Sequence, residues 1–142
     1  MSLYLDTSVI VPTIVVERST EAVGAFLLGR GDDLTVSDFA AAEVAAALSR
    51  LVRMGQLTAT EAAERLADFD AWRAGETETA DLAAHDCRLA NTFVRRFDLR
   101  LRVPDALHAA ICRRLGMRLV TLDRRLAVAA RALEIDVLVP VE

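Results

Sequence analysis

The 142-residue chain contains no lysine; all 17 of its basic residues are arginine. That absence removes Schiff-base chemistry, the phosphate-binding lysine of a P-loop and the lysine used by phospho-aspartate enzymes and receiver domains. Cysteine is nearly absent too. Cys87 and Cys112 have no metal-ligand spacing, and both are expected as small core residues on helices rather than as a disulfide or a zinc site. Long apolar runs are also lacking: the longest, Val9 to Val16, is broken by Pro12 and Thr13 and falls short of the roughly 20 residues a spanning helix needs. The opening MSLYLDTS has no basic segment followed by a long apolar one, so no secretion signal is expected and a cytoplasmic location is.

What is present suits one ordinary domain over residues 1–142, because 54% hydrophobic residues are ample for a continuous core. The formal net charge of -4 conceals a polarised chain. Up to residue 87 there are 15 acids and 6 arginines; from Arg88 to Arg131 there are 11 arginines and 3 acids, two of them Asp105 and Asp123. A basic half of this kind attracts polyanions such as nucleic acid even when the whole chain is acidic. The alternative is that these arginines pair with acids from the other half across the fold.

Leu3 to Leu5 reads as a short strand ending in Asp6, with Thr7 and Ser8 placed to cap a helix beginning near Val9 and Pro12 in its first turn. A second helix is expected from Ser19 or Thr20 to Leu28, closed by Gly29 and Gly31. Leu34 to Val36 is a second strand, and Ser37 caps a helix from Asp38 to about Arg53 whose core stripe is Val44, Ala45, Leu48, Leu51 and Val52. After Gly55, Thr58-Ala59-Thr60-Glu61 is a capping box opening the next helix, which completes a helical hairpin. A DNA-reading helix-turn-helix is disfavoured there, since Glu61, Glu64, Asp68 and Asp70 would meet phosphates with repulsion; packing or dimerisation suits the hairpin better. A helix from about Ala80 to Phe97 follows, anchored by Leu82, Leu89, Phe93 and Phe97. Val103-Pro104-Asp105 starts another that ends at Gly116. Arg118 to Leu122 reads as a buried strand ending in Asp123, then a helix runs to about Leu133 and Val137 to Val139 forms a last strand. Short strands alternating with helices predict an α/β fold, a central mainly parallel sheet covered on both faces.

Four carboxylates, Asp6, Glu43, Asp105 and Asp123, lie just past apolar runs or near the start of the helix that follows, the edge at which such sheets bind ligands. Taken singly, Asp6 and Asp123 read as helix caps and Asp105 as a dipole-favourable first-turn residue. Asp38 reads the same way. Glu43 fits neither role; beside an apolar stripe within a helix it needs a partner, an arginine such as Arg50 or a metal. Gathered together, the four would repel unless protons or a hard cation neutralised them, and carboxylates with water suit Mg²⁺ or Mn²⁺.

Taken together, LDTS, the acid of AAAEVAAAL, PDALHAA and TLDRRL occur in the order and approximate spacing of the PIN-domain ribonucleases, which the chain resembles over essentially its whole length. The resemblance extends most closely to the compact VapC-type toxins of toxin-antitoxin pairs. It implies a three-layer α/β/α sandwich, a Mg²⁺ or Mn²⁺ site, and endonucleolytic cleavage of single-stranded or loop RNA, for which in-line attack by water would leave 5′-phosphate and 3′-hydroxyl ends. It also implies a cognate antitoxin partner and a homodimer. Matched by motif, Asp6, Glu43, Asp105 and Asp123 are the catalytic and metal-holding acids. Thr7 and Ser8 orient a carboxylate or a bound water, and His108, one turn after Asp105, is a packed or supporting histidine rather than a ligand of a hard cation. Arg95, Arg96, Arg102 and Arg124 are the candidates for holding the RNA backbone. Two rival readings remain: a non-catalytic PIN-like interaction module, and an aspartate-dependent phosphatase of the haloacid-dehalogenase type. The latter is weakened by Ser8 in place of its second acid and by the missing lysine.

Overall fold

The computed structural model describes residues 2–140. Five strands form one sheet: β1 (Leu3–Leu5), β2 (Leu34–Ser37), β3 (Glu78–Ala80), β4 (Arg118–Val120) and β5 (Val137–Leu138). Their order is β3-β2-β1-β4-β5, and every pairing is parallel. Seven α-helices connect them: α1 (Thr7–Ile14), α2 (Thr20–Leu28), α3 (Asp38–Arg53), α4 (Ala59–Glu76), α5 (Ala84–Val94), α6 (Val103–Leu115) and α7 (Arg124–Ala132), with a single 3-10 turn at Phe97–Leu99. Among the described residues, no helix is long and apolar enough to cross a membrane.

The two-residue period of the strands sorts the core into two layers. Leu3, Leu5, Val36 and Val120 point to the face covered by Val9, Ile10, Val23, Val44, Leu48 and Phe69 of α1 to α4. Tyr4, Ala80 and Leu119 point to the other face, against Phe93, Ile111, Leu126 and Ala130 of α5, α6 and α7. Sheet and helices therefore make three layers. From β1 the chain moves outward through β2 to β3, then returns to the opposite side of β1 for β4. The β1–β4 boundary is the point where strand order reverses, and the carboxyl ends of strands at such a point are where open parallel sheets bind ligands.

Several elements depart from the sequence expectation. Helix α1 begins at Thr7, two residues early, because the Asp6 carboxylate accepts from Val9 N–H and is itself the cap. Pro12 consequently sits in the second turn of that helix rather than the first. The predicted helix from Ala80 to Phe97 is shorter at both ends. Glu78–Ala80 instead pairs with β2 as an edge strand, and α5 runs only from Ala84 to Val94. Glu78 and Thr79 are exposed, so no apolar alternation announced that strand. Leu82 and Phe97, expected as apolar anchors, are 40% and 84% exposed. Cys112 is in the core as expected, but Cys87 is on the exposed face of α5.

Candidate active site

Asp6 is the first residue beyond the central strand and is buried. Its backbone N–H donates to Val120 O at 3.2 Å, which ties the ends of β1 and β4 together. Its side chain is met by hydroxyls on both oxygens: Ser8 Oγ donates to Oδ1 at 2.6 Å and Thr121 Oγ1 to Oδ2 at 2.5 Å. Those hydroxyls are in turn fixed by backbone, Ser8 Oγ accepting from Leu122 N–H at 2.9 Å and Thr121 Oγ1 from Asp123 N–H at 3.0 Å. The loop that carries Asp123 is thus fastened to the carboxylate that precedes α1. Burial raises the Asp6 pKa, and the nearby His108 and the hydroxyl donors offset only part of that effect. Thr121 was not singled out from sequence. Its only local signal is a hydroxyl between a buried strand and an acid, and its partner lies 115 residues away.

Glu43 projects from α3 and accepts on one oxygen from two neighbours, Thr7 Oγ1 at 2.7 Å and His108 Nε2 at 2.5 Å. These, not Arg50, are the partners its position demanded. Burial opposes its charge, yet the bonds from His108 and Thr7 prevail and the pKa is lowered. His108 is buried within α6, and its Nδ1 lies 2.6 Å from the Tyr4 hydroxyl, which lies 2.8 Å from Ser37 Oγ. Ser37 also caps α3 by accepting from Ala40 N–H at 2.9 Å. Protonation follows from this chain. An ionised Glu43 has no hydrogen to give, so His108 Nε2 donates; in the neutral ring Nδ1 then accepts from Tyr4, which accepts from Ser37. A buried polar line therefore runs from the cap of α3 through β1 and α6 to Glu43. Tyr4 and Ser37 had read as a core residue and a simple cap.

Asp105 and Asp123 are held differently, by the backbone of their own helix starts. Asp105 Oδ2 accepts from Arg102 N–H at 3.3 Å, and Asp123 Oδ1 accepts from the N–H groups of Arg125 and Leu126 at 3.0 and 3.2 Å. The other oxygen of each has no hydrogen-bond partner among the described residues. Half-burial raises the Asp105 pKa, and the charge of Asp123 raises it further, so these two acids lie within each other's field.

Among the described residues, no three His, Cys, Asp or Glu side chains converge closely enough to hold a metal ion as they stand. The donor chemistry nevertheless fits a hard divalent cation. The acids supply only oxygens, two of them leave an oxygen free, and the ionised state is disfavoured by burial at Asp6 and by burial together with the Asp123 charge at Asp105. His108 is committed to Tyr4 and Glu43 through both ring nitrogens.

Of the candidate phosphate-binding arginines, Arg96 is paired with Asp98 and Arg95 donates to Asn91, while Arg102 and Arg124 are exposed without an ion pair among the described residues. Among the described residues, only Arg96 and Arg114 of the basic half form ion pairs, and only Arg114 reaches acids of the other half, Asp81 and Asp86. Pairing across the fold thus accounts for little of the basic charge.

Comparison with known proteins agrees with this architecture. The family model for the PIN domain matches residues 3–132. A search of curated proteins returned no match. Among solved structures, the chain is similar to VapBC2 from Rickettsia felis bound to a DNA fragment from its promoter, with TM-score 0.72, 16% identity and 98% of each chain covered. It is also similar to VapC20 from Mycobacterium tuberculosis, a sarcin-ricin loop cleaving toxin, with TM-score 0.69, 17% identity and 89% of this chain and 94% of that one covered. A toxin-antitoxin complex from Klebsiella pneumoniae matches with TM-score 0.63, 17% identity and 100% and 99% covered. At these identities the structural likeness establishes the fold.

Proposed function

The chain belongs to the PIN domain family, and we propose that it is a metal-dependent endoribonuclease, the toxin of a toxin-antitoxin pair, hydrolysing RNA to 5′-phosphate and 3′-hydroxyl ends. The observation that carries this reading is the position of Asp6: a buried carboxylate at the strand-order reversal, held by two hydroxyls and joined through Thr121 to the loop that presents Asp123.

Asp6, Asp105 and Asp123 would hold Mg²⁺ or Mn²⁺, with Glu43 engaged directly or through water. A divalent ion there supplies Lewis-acid stabilisation of phosphate charge and lowers the pKa of an attacking water. The protein's own work is orientation. Ser8 and Thr121 fix the plane of the Asp6 carboxylate, and Thr7 and His108 hold Glu43 ionised at a set position. Arg102 and Arg124, exposed beside Asp105 and Asp123 in sequence, are placed to bind backbone phosphates without reading bases. Attack by water rather than by the ribose 2′-hydroxyl gives the stated ends.

The antitoxin partner rests on the resemblance and on the toxin-antitoxin complexes among the structural neighbours. A homodimer through the early helices is supported by apolar surface there, where Val16 and Leu28 are 85% and 89% exposed. The test is cleavage of a structured RNA mixture by partner-free protein with Mg²⁺ or Mn²⁺, against EDTA and against Asp6→Asn. Fragments with 5′-phosphate ends that need both metal and Asp6 are expected; metal-independent cleavage retained by the variant would sink the mechanism.

A further inference from the structure

The polarised charge of the chain reaches the surface as two grooves of opposite sign. The first, of about 480 Å³, is walled by Leu27, Leu28 and Trp72 and takes in Asp33, Glu76 and Glu78. Its one arginine, Arg30, is paired with Asp32 at 2.9 Å. The remaining three acids are exposed and have no ion pair among the described residues, so this groove is net negative. The second groove, of about 330 Å³, is lined by Leu99, Val128, Arg100, Arg124 and Arg125, together with Asp98. There the pattern is inverted. Asp98 is paired with Arg96 at 3.1 Å, and the three lining arginines are exposed without an ion pair among the described residues. Unpaired carboxylates in one groove are thus matched in number by unpaired guanidinium groups in the other. Each groove also holds an exposed apolar side chain, Leu28 at 89% and Val128 at 66%.

The two grooves cannot neutralise each other within one chain. The first borders Leu34 and Glu78, where β2 and β3 begin, whereas the second borders the start of α7, just beyond the end of β4. In an all-parallel sheet these are opposite edges, and α2 and α4 lie in one helical layer while α7 lies in the other. A two-fold pairing of either groove with its own copy would set like charge against like. Unlike grooves of two copies do match. We propose that the chain self-associates head to tail, with Asp33, Glu76 and Glu78 of one copy seated on Arg100, Arg124 and Arg125 of the next. The inference rests on the self-association proposed above and deepens it by naming the face that Leu28 meets. Because the grooves lie in opposite layers and at opposite edges, two copies cannot make both contacts at once, and each pair leaves a groove free for a further copy. Exposed ion pairs are individually weak and screened by salt, so the contact depends on concentration and ionic strength. It also covers Arg124, so a copy engaged in it cannot offer that arginine to RNA.

The test is sedimentation equilibrium of the full chain over a range of concentrations, which needs neither RNA nor metal and so stands apart from the nuclease reading. At about 20 mM salt the mass is expected to rise past that of two copies, and at about 500 mM salt to fall. Glu76→Arg with Glu78→Arg, or Arg124→Glu with Arg125→Glu, should raise the dissociation constant at low salt on the order of tenfold, since each places like charges together. A chain carrying all four substitutions exchanges the two signs and should associate as the wild type does, which separates a lost contact from a lost fold. A mass that stops at two copies and ignores both charge reversals would overturn the proposal and leave the early-helix dimer standing. A single copy at every salt and concentration would remove both. If the four-substitution chain were folded by circular dichroism yet failed to associate, charge complementarity between the grooves would be refuted.

Discussion

Two pairs of acids share one edge of the sheet and are held by opposite means. Asp6 and Glu43 are clasped by side chains, four donors drawn from Thr7, Ser8, His108 and Thr121. Asp105 and Asp123 touch only backbone N–H groups of their own helix starts and keep an oxygen free among the described residues. The side-chain network fixes direction, since Ser8, Thr121 and His108 are each held in turn by Leu122 N–H, Asp123 N–H and the Tyr4 hydroxyl. A helix start contributes a favourable dipole and leaves the carboxylate able to turn. One pair is therefore oriented before anything binds, and the other is available to close on a ligand.

The sharpest way to break this contrast is Asp6→Asn. Loss of a charge meant to neutralise a divalent ion should lower RNA cleavage on the order of a thousandfold, several kcal/mol of transition-state stabilisation. The fold should respond with the opposite sign. Because burial raises the Asp6 pKa, the stability associated with its protonated form is fully present below the unfolded value near 4 and is lost as pH rises through the higher folded pKa. Urea unfolding in EDTA should thus show Asp6→Asn gaining on the wild type from about pH 4 toward neutrality. Glu43, whose pKa is lowered, runs the other way. Its contribution is present above the unfolded value and lost in acid, so Glu43→Gln should be less stable than the wild type at neutral pH and converge with it as pH falls through the folded pKa. Parallel pH profiles for the two variants would refute the assigned causes.

A smaller effect comes from loosening the first pair without touching an acid. Tyr4→Phe removes one hydroxyl, leaving His108 Nδ1 and Ser37 Oγ without their shared partner. Orphaning buried groups costs about 1–3 kcal/mol, visible as a lower urea midpoint with an unchanged m-value. Releasing the ring that positions Glu43 should reduce cleavage roughly 10- to 100-fold, the range found for supporting groups around metal ligands. The nitrogen-15 spectrum of His108 separates the two effects, since the wild type should show the Nε2–H form and the variant a mixture. A single Nδ1–H form in the wild type would mean the chain runs in the reverse direction.

How much of this could be read from sequence divides along the same line. The boundaries of α3, its Ser37 cap and the Thr58–Glu61 capping box were legible because each signal is complete within a few residues. So was the Asp105 and Asp123 pair's placement at helix starts, since proline at one and a strand before the other are local cues. The Asp6 and Glu43 network was not. Thr121 meets Asp6 across 115 residues and His108 meets Glu43 across 65, and nothing local distinguishes a hydroxyl that packs from one that orients a carboxylate. Strand β3 escaped because two of its three residues face solvent, and Phe97 was misplaced because helical spacing was continued past the point where α5 ends.

The smallest expected effect tests whether the second pair is as loosely committed as its contacts suggest. Asn caps a helix about as well as Asp, so Asp123→Asn should leave stability within about 0.5 kcal/mol of the wild type even though it removes a full charge. It should also relieve Asp105, whose pKa Asp123 holds up, so that the Asp105 carboxyl titrates lower in the variant, as carbon-13 shifts would record. Mg²⁺ should raise the thermal midpoint of the wild type by mass action and that of Asp123→Asn by less. If Asp123→Asn instead unfolded as readily as Tyr4→Phe, the second pair would be part of the scaffold, and the division between an oriented pair and an available one would fail.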